Sequence, residues 1–170
     1  TYNELKAQIG RLMNQLSSFG IRRNDRVAIV LPSGIEAIAS FLAVSGVAIA
    51  APLNAAYKPD EFQFYLEDTN ARAVITETGA GEDAVNAAPK GTFHITVSMG
   101  KQGEINFSGP ASSGDASTGT PSADDVALVL HTSGTTSRPK RVPLTHRNLI
   151  TSLRNVVDTY QLDESDVSLC

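Results

Sequence analysis

Apolar residues recur at helical intervals from the start of the chain. Tyr2, Leu5, Ile9, Leu12, Met13, Leu16 and Phe19 fall mostly three or four apart, and Gly20 follows them. That spacing predicts a helix with one apolar side, closed by the glycine. Thr1 and Glu4 have capping-box spacing at its start. The pattern then changes. Residues 27–31 form an unbroken apolar run, as in a strand covered on both faces. Pro32 ends the run. Ser33 and Glu36 repeat the capping-box spacing and predict a second helix over about 34–45. Residues 47–51 read as the next strand and 52–57 as a turn. Pro59, Asp60 and Glu61 suit the first turn of a third helix, with Phe62, Tyr65 and Leu66 on its apolar side. Residues 73–76 predict a short strand.

Strand, helix, strand, helix, strand is βαβ organisation. It predicts an α/β fold of three layers, with a largely parallel sheet and helices on both faces. Further on, 82–88 reads as a short helix and 93–97 as a strand. Residues 98–125 are rich in Gly, Ser, Ala and Thr and predict a long surface connection, with a brief strand at 105–107. The sheet resumes at 126–130. Thr145 can cap a helix in which Leu149, Leu153, Val156, Val157 and Tyr160 line one side, and a strand is expected from about Val167. The pattern breaks off there, so the chain is expected to be the N-terminal fragment of a larger protein. Edges exposed by such truncation would favour association.

Composition changes this picture little. The 170 residues suffice for one sizeable core, and 41% hydrophobic with 19% charged is ordinary for a globular domain. A net charge of −4 argues against a nucleic-acid partner. Residues 35–52 are apolar, but Glu36 and Gly46 split them into helix and strand, so no membrane span is expected. Cys170 is the single cysteine, which excludes an internal disulfide and favours a reducing, intracellular compartment.

Candidate chemistry concentrates in residues 128–143, LVLHTSGTTSRPKRVP. Thr132, Ser133, Thr135, Thr136 and Ser137 place five hydroxyls around Gly134, and Arg138, Lys140 and Arg141 follow. Small residues let backbone N–H groups approach phosphate oxygens, hydroxyls donate further hydrogen bonds, and cations offset the charge. The loop also leaves a buried-type strand, where open α/β sheets bind ligands. It is neither a G-x-x-x-x-G-K-[ST] loop nor a G-x-G-x-x-G turn.

The run TSGTTSRPK resembles the phosphate-binding signature of the AMP-forming adenylating enzymes. With HTSGTTSRPK followed by VPLTH, it is most similar to their oxalate–CoA ligase branch. TYNEL, GIRRNDRVAIVLPSGIEAIASFLA and APLNAAYKPDEFQFYLEDTNARAVIT resemble the family's opening segment, in family order. The resemblance implies that 1–170 is the first part of the large AMP-binding domain, with a phosphate loop at 131–141 and the C-terminal lid domain absent. It implies ATP, Mg²⁺ and coenzyme A as cofactor and co-substrates, a small carboxylic acid as substrate, and a cytoplasmic or peroxisomal location. It implies two steps: a carboxylate attacks the α-phosphate of ATP, and coenzyme A thiol then displaces AMP. Thr132, Ser133, Gly134, Thr135, Thr136, Ser137 and Lys140 carry over as the phosphate-binding residues. The catalytic lysine would lie downstream, so the fragment alone is expected to be inactive. Two other readings share the loop: a non-catalytic nucleotide- or phosphate-binding module, and an adenylation domain that loads a carrier protein.

Most members of the resembling family have Gly where this chain has Arg141. A backbone of positive φ there would strain Arg, whereas an extended backbone would leave its side chain in solvent, and both remain open. His131 is either a phosphate contact or a packing residue at a strand end. His146 reads as a polar residue at a helix start, His94 as a structural residue in a strand, and Cys170 as packing. No two histidines have metal-ligand spacing. Glu61, Glu67 and Asp68 read as helix-surface carboxylates without partners.

Overall fold

The computed structural model describes residues 1–111, 119–132 and 139–167. Five helices and seven strands are described, and the strands form one sheet. The first helix, α1 (Tyr2–Ser18), carries the capping box of Thr1 and Glu4. Gly20 follows at φ 83°, a conformation that favours glycine, and turns the chain into β1 (Arg26–Val30). Next come α2 (Ile35–Ser45), β2 (Ile49–Leu53), α3 (Pro59–Thr69) and β3 (Ala73–Glu77). After them lie α4 (Glu82–Ala87), β4 (Phe93–Met99), β5 (Ile105–Ser108), β6 (Val126–Thr132), β7 (Lys140–Thr145) and α5 (His146–Tyr160).

The sheet order is β5-β4-β3-β1-β2-β6-β7. The five inner strands are parallel, and each outer strand pairs antiparallel with its neighbour. Alternate residues of each strand face opposite layers. Val27 and Ile29 pack with Leu12, Leu16, Ala43 and Val44 under α1 and α2. Ala28 and Val30 pack with Phe62, Leu66 and Ala84 under α3 and α4. Both strand faces are therefore buried, which is why β1 reads as an unbroken apolar run.

Several boundaries differ from the sequence-based expectation. Ser33 does not cap α2. Gly34 is the N-cap and makes no side-chain hydrogen bond, so the expected Ser33–Glu36 box starts one residue too early. The strand expected at 47–51 is shifted to Ile49–Leu53, because the amides of Val47 and Ala48 still bond the carbonyl of Val44 and extend the helical turn. Pro52, expected in a turn, ends up inside β2. It lies beyond Ala50↔Leu128, the single register pair between β2 and β6 among the described residues.

The largest omission is β7. Val142 and Leu144 alternate with Arg141, Pro143 and Thr145, a strand period that Pro143 disguises. Proline is tolerated because β7 is an edge strand. The expected strand at Val167 does not begin there: Val167 is exposed and outside any strand, and 168–170 lie outside the described residues. Helix α5 has its Thr145 cap, with the Asn148 side chain accepting from the Thr145 amide. Only Leu149 packs against the core, and Leu153, Val156, Val157 and Tyr160 stay exposed. Among the described residues no helix is long and apolar enough to cross a membrane.

Two ion pairs tie the segment before β6 to its neighbours, one to the turn after α1 and one to the start of α5. Arg23 meets Asp125 at 2.6 Å, and Arg147 meets Asp124 at 2.9 Å. The Arg23 guanidinium, and then the Ser122 amide, hold the Asp125 carboxyl below its ordinary range, and Arg147 does the same for Asp124. A carboxyl lowered in the folded state favours folding above its unfolded pKa, and that contribution disappears as pH falls through the folded value. Stability should therefore drop on acidification below about pH 4. The D124N/D125N double variant should show a shallower drop, read as urea midpoints at neutral pH and at about pH 3.

Candidate functional site

The site lies where β6 leaves the sheet. β6 runs parallel to β2, and its far end lies beside the last turn of α3, which the sheet's topology places near the amino ends of β1 and β3 rather than at the carboxyl edge expected of a ligand-binding loop. There β6 and β7 form an antiparallel hairpin in which Leu130 faces Val142, His131 faces Arg141 and Thr132 faces Lys140. Of the loop expected at 131–141, residues 131–132 and 140–141 are strand, and 133–138 lie outside the described residues. The Thr132 hydroxyl donates to the Lys140 carbonyl at 3.5 Å, a contact at the long limit of a hydrogen bond. Of the expected phosphate-binding residues, Thr132 and Lys140 are thus brought together as register partners. Ser133, Gly134, Thr135, Thr136 and Ser137 lie outside the described residues. Lys140 is exposed and forms no ion pair with a described residue.

Both open alternatives for Arg141 give way to a third. Its backbone lies in β7, and the described non-glycine residues with positive φ are Asn24, Asn70 and Gln161. The guanidinium neither strains the chain nor points freely into solvent: Arg141 Nη1 donates to the Asp68 carbonyl at the end of α3. His131 also turns towards α3. Its Nε2 lies 3.0 Å from Asp68 Oδ2, and its ring meets Tyr65 edge-on at 4.8 Å. The His131 side chain is 5% exposed, so the packing reading holds for it.

Asp68 is the residue that sequence reasoning missed. It was expected to be an unpartnered surface carboxylate, and it instead joins residues 63 and 73 positions away. No local pattern carries such a contact. Tyr57 stacks on Tyr65 at 4.9 Å and extends the aromatic support behind His131. Burial, and then the hydrogen bond with Tyr65, raise the Tyr57 phenol above its ordinary value. His94 Nε2 pairs with the Thr76 hydroxyl at 2.9 Å, a structural contact between neighbouring strands. His146 opens α5 as expected, with its Nε2 buried and without a hydrogen-bond partner among the described residues. Cys170 lies outside the described residues.

Among the described residues no group of three or more His, Cys, Asp or Glu side chains could hold a metal ion. A magnesium ion that arrives with a nucleotide takes most of its ligands from phosphate and water, so a site of this kind requires no such cage.

The family described as AMP-binding enzyme matches the chain over residues 1–170. A probable CoA ligase from Humulus lupulus is 42% identical, with 98% of this chain and 33% of that protein covered. An oxalate–CoA ligase from Arabidopsis thaliana is 41% identical, with 98% of this chain and 34% of that protein covered. Among solved structures, the ATP-bound MatB from Rhodopseudomonas palustris superposes with a TM-score of 0.76 at 32% identity, covering 94% of this chain and 32% of that one. The chain thus spans about a third of the length of the curated relatives it matches.

Proposed function

The chain belongs to the AMP-binding enzyme family, and from that premise we propose that it is the phosphate-binding portion of an ATP-dependent acid–CoA ligase. The single observation that carries the reading is the β6–β7 hairpin. It opposes Thr132 to Lys140 where β6 leaves the sheet and joins them through the hydroxyl-rich segment around Gly134. In this reading Ser133, Thr135, Thr136 and Lys140 bind the β- and γ-phosphates. Backbone N–H groups around Gly134 assist, Thr132 and Ser137 flank them, and Pro139 sets the turn that aims Lys140. The work of these residues is positioning and charge neutralisation as pyrophosphate departs, and Mg²⁺ would add charge neutralisation on the phosphates. The acid's carboxylate attacks the α-phosphate, and coenzyme A then takes the acyl group from AMP. The relatives named as CoA ligases support this chemistry, and the oxalate–CoA ligase among them makes a small dicarboxylic acid the first substrate to try.

The relatives are about three times as long, so the reading assigns the complete reaction to a longer polypeptide that carries this chain. Exposed apolar side chains agree with that. Ile35, Ile38 and Leu42 on α2, and Leu153, Val156 and Val157 on α5, would be covered by the rest of such a polypeptide. The test is ATP–pyrophosphate exchange by the whole polypeptide with oxalate, other dicarboxylic acids, and aliphatic and aromatic acids. Exchange that requires one of these acids is expected, and its absence with every acid would overturn the reading.

A further inference from the structure

Beyond Leu128 the described register between β2 and β6 stops, and the end of β6 is paired with β7 alone. Among the described residues the register between β2 and β6 has a single pair, Ala50↔Leu128, and β7 beyond it is an edge strand. From Val129 onward the hairpin depends on contacts other than the inner ladder. Helix α3 supplies two of them. That helix is anchored along its length: Phe62 and Leu66 are buried, Asn70 closes it at φ 49°, and Arg26 donates to the carbonyls of Thr69 and Asn70 at 3.0 and 2.8 Å. From its last turn Asp68 reaches both strands. Its carboxylate lies 3.0 Å from His131 Nε2 on β6, and its peptide oxygen accepts from Arg141 Nη1 on β7. An ionised carboxylate only accepts, so His131 Nε2 carries the proton in this pair. The His131 contact is shielded, at 5% side-chain exposure, whereas Arg141 is 50% exposed and its attraction to the Asp68 carboxylate at 4.0 Å is screened by water. The carboxylate–imidazole pair is therefore the tie that depends on the Asp68 side chain, whereas Arg141 is held mainly by the Asp68 peptide oxygen.

We propose that Asp68 is a positioning residue that sets the separation and orientation of Thr132 and Lys140, the two ends of the nucleotide hairpin. The proposal rests on reading that hairpin as the nucleotide site. Asp68 touches no substrate in this role. Its side chain acts through His131, its peptide oxygen holds Arg141, and the aromatic pair Tyr57–Tyr65 backs the imidazole.

The test uses the whole polypeptide and two readouts. Asp68→Ala should raise the KM for ATP in pyrophosphate exchange by about three- to thirtyfold and leave kcat within about twofold. Amide hydrogen exchange should quicken in 129–132 and 140–142 while β1 and β3 stay protected. Glu67→Ala, which removes only the bond from Gln63, should change neither. His131→Leu should match Asp68→Ala, and the double variant should be no worse than either, as expected for one shared contact. His131→Gln keeps a donor and should recover most of the ATP affinity. Unchanged KM together with unchanged hairpin exchange in Asp68→Ala overturns the proposal, and so do additive effects of the two single variants. If the unsubstituted polypeptide shows no pyrophosphate exchange, the nucleotide reading fails, and hydrogen exchange still decides whether Asp68 holds the hairpin.

Discussion

Lys140→Ala in the whole polypeptide is expected to lower acid-dependent ATP–pyrophosphate exchange by about 10²- to 10³-fold, the usual cost of removing one preorganised group that meets developing charge. The side chain can be removed without disturbing the fold. Lys140 is exposed, it has no ion-pair partner among the described residues, and its backbone is held by the register with Thr132. Its removal should therefore leave the melting temperature nearly unchanged, as for surface substitutions away from structural contacts. Lys140→Arg keeps the charge and should retain part of the rate, although a planar guanidinium does not reproduce a compact ammonium. An unchanged exchange rate in Lys140→Ala would remove this side chain from the phosphate site.

Phe62→Ala should have the largest effect on stability, about 3–5 kcal/mol. That is a large share of the roughly 5–15 kcal/mol that holds a typical domain together. Phe62 is 2% exposed and is among the largest fully buried side chains. It fills the layer between β1, β3 and α3, and its ring lies 5.9 Å from Tyr57 in an edge-on arrangement. Truncation leaves a cavity beneath Tyr57 and removes support from the Tyr57–Tyr65–His131 stack. Urea unfolding should show a lowered midpoint with an unchanged slope. A shift below about 1 kcal/mol would mean that α3 is not packed as described.

Most of the fold was legible because its determinants are local. The unbroken run at Val27–Leu31 marks a strand buried on both sides, and Ala28 and Ile29 do face different layers. Thr1 and Thr145 announce their helices through caps formed within four residues. Errors arose where one local signal concealed another. Pro52 suggested a turn and Pro143 concealed the strand period of β7, yet each lies on a strand where the missing N–H is tolerated. The candidate site was legible only in part. Its residue types could be read from the run HTSGTTSRPK, but the pairing of Thr132 with Lys140 depends on β7, which was not anticipated. The role of Asp68 was beyond reach, since its partners are distant in sequence and meet it only once α3 has packed. The same contact answers the question posed by Arg141, whose side chain is used by α3 and whose backbone is plain strand.

The most direct measurement is a crystal structure of the whole polypeptide with ATP and Mg²⁺. The expected result is the triphosphate lying against the segment between Thr132 and Lys140, with the Lys140 ammonium on a β- or γ-phosphate oxygen. Triphosphate density at any other edge of the sheet, with Lys140 still in solvent, would contradict it.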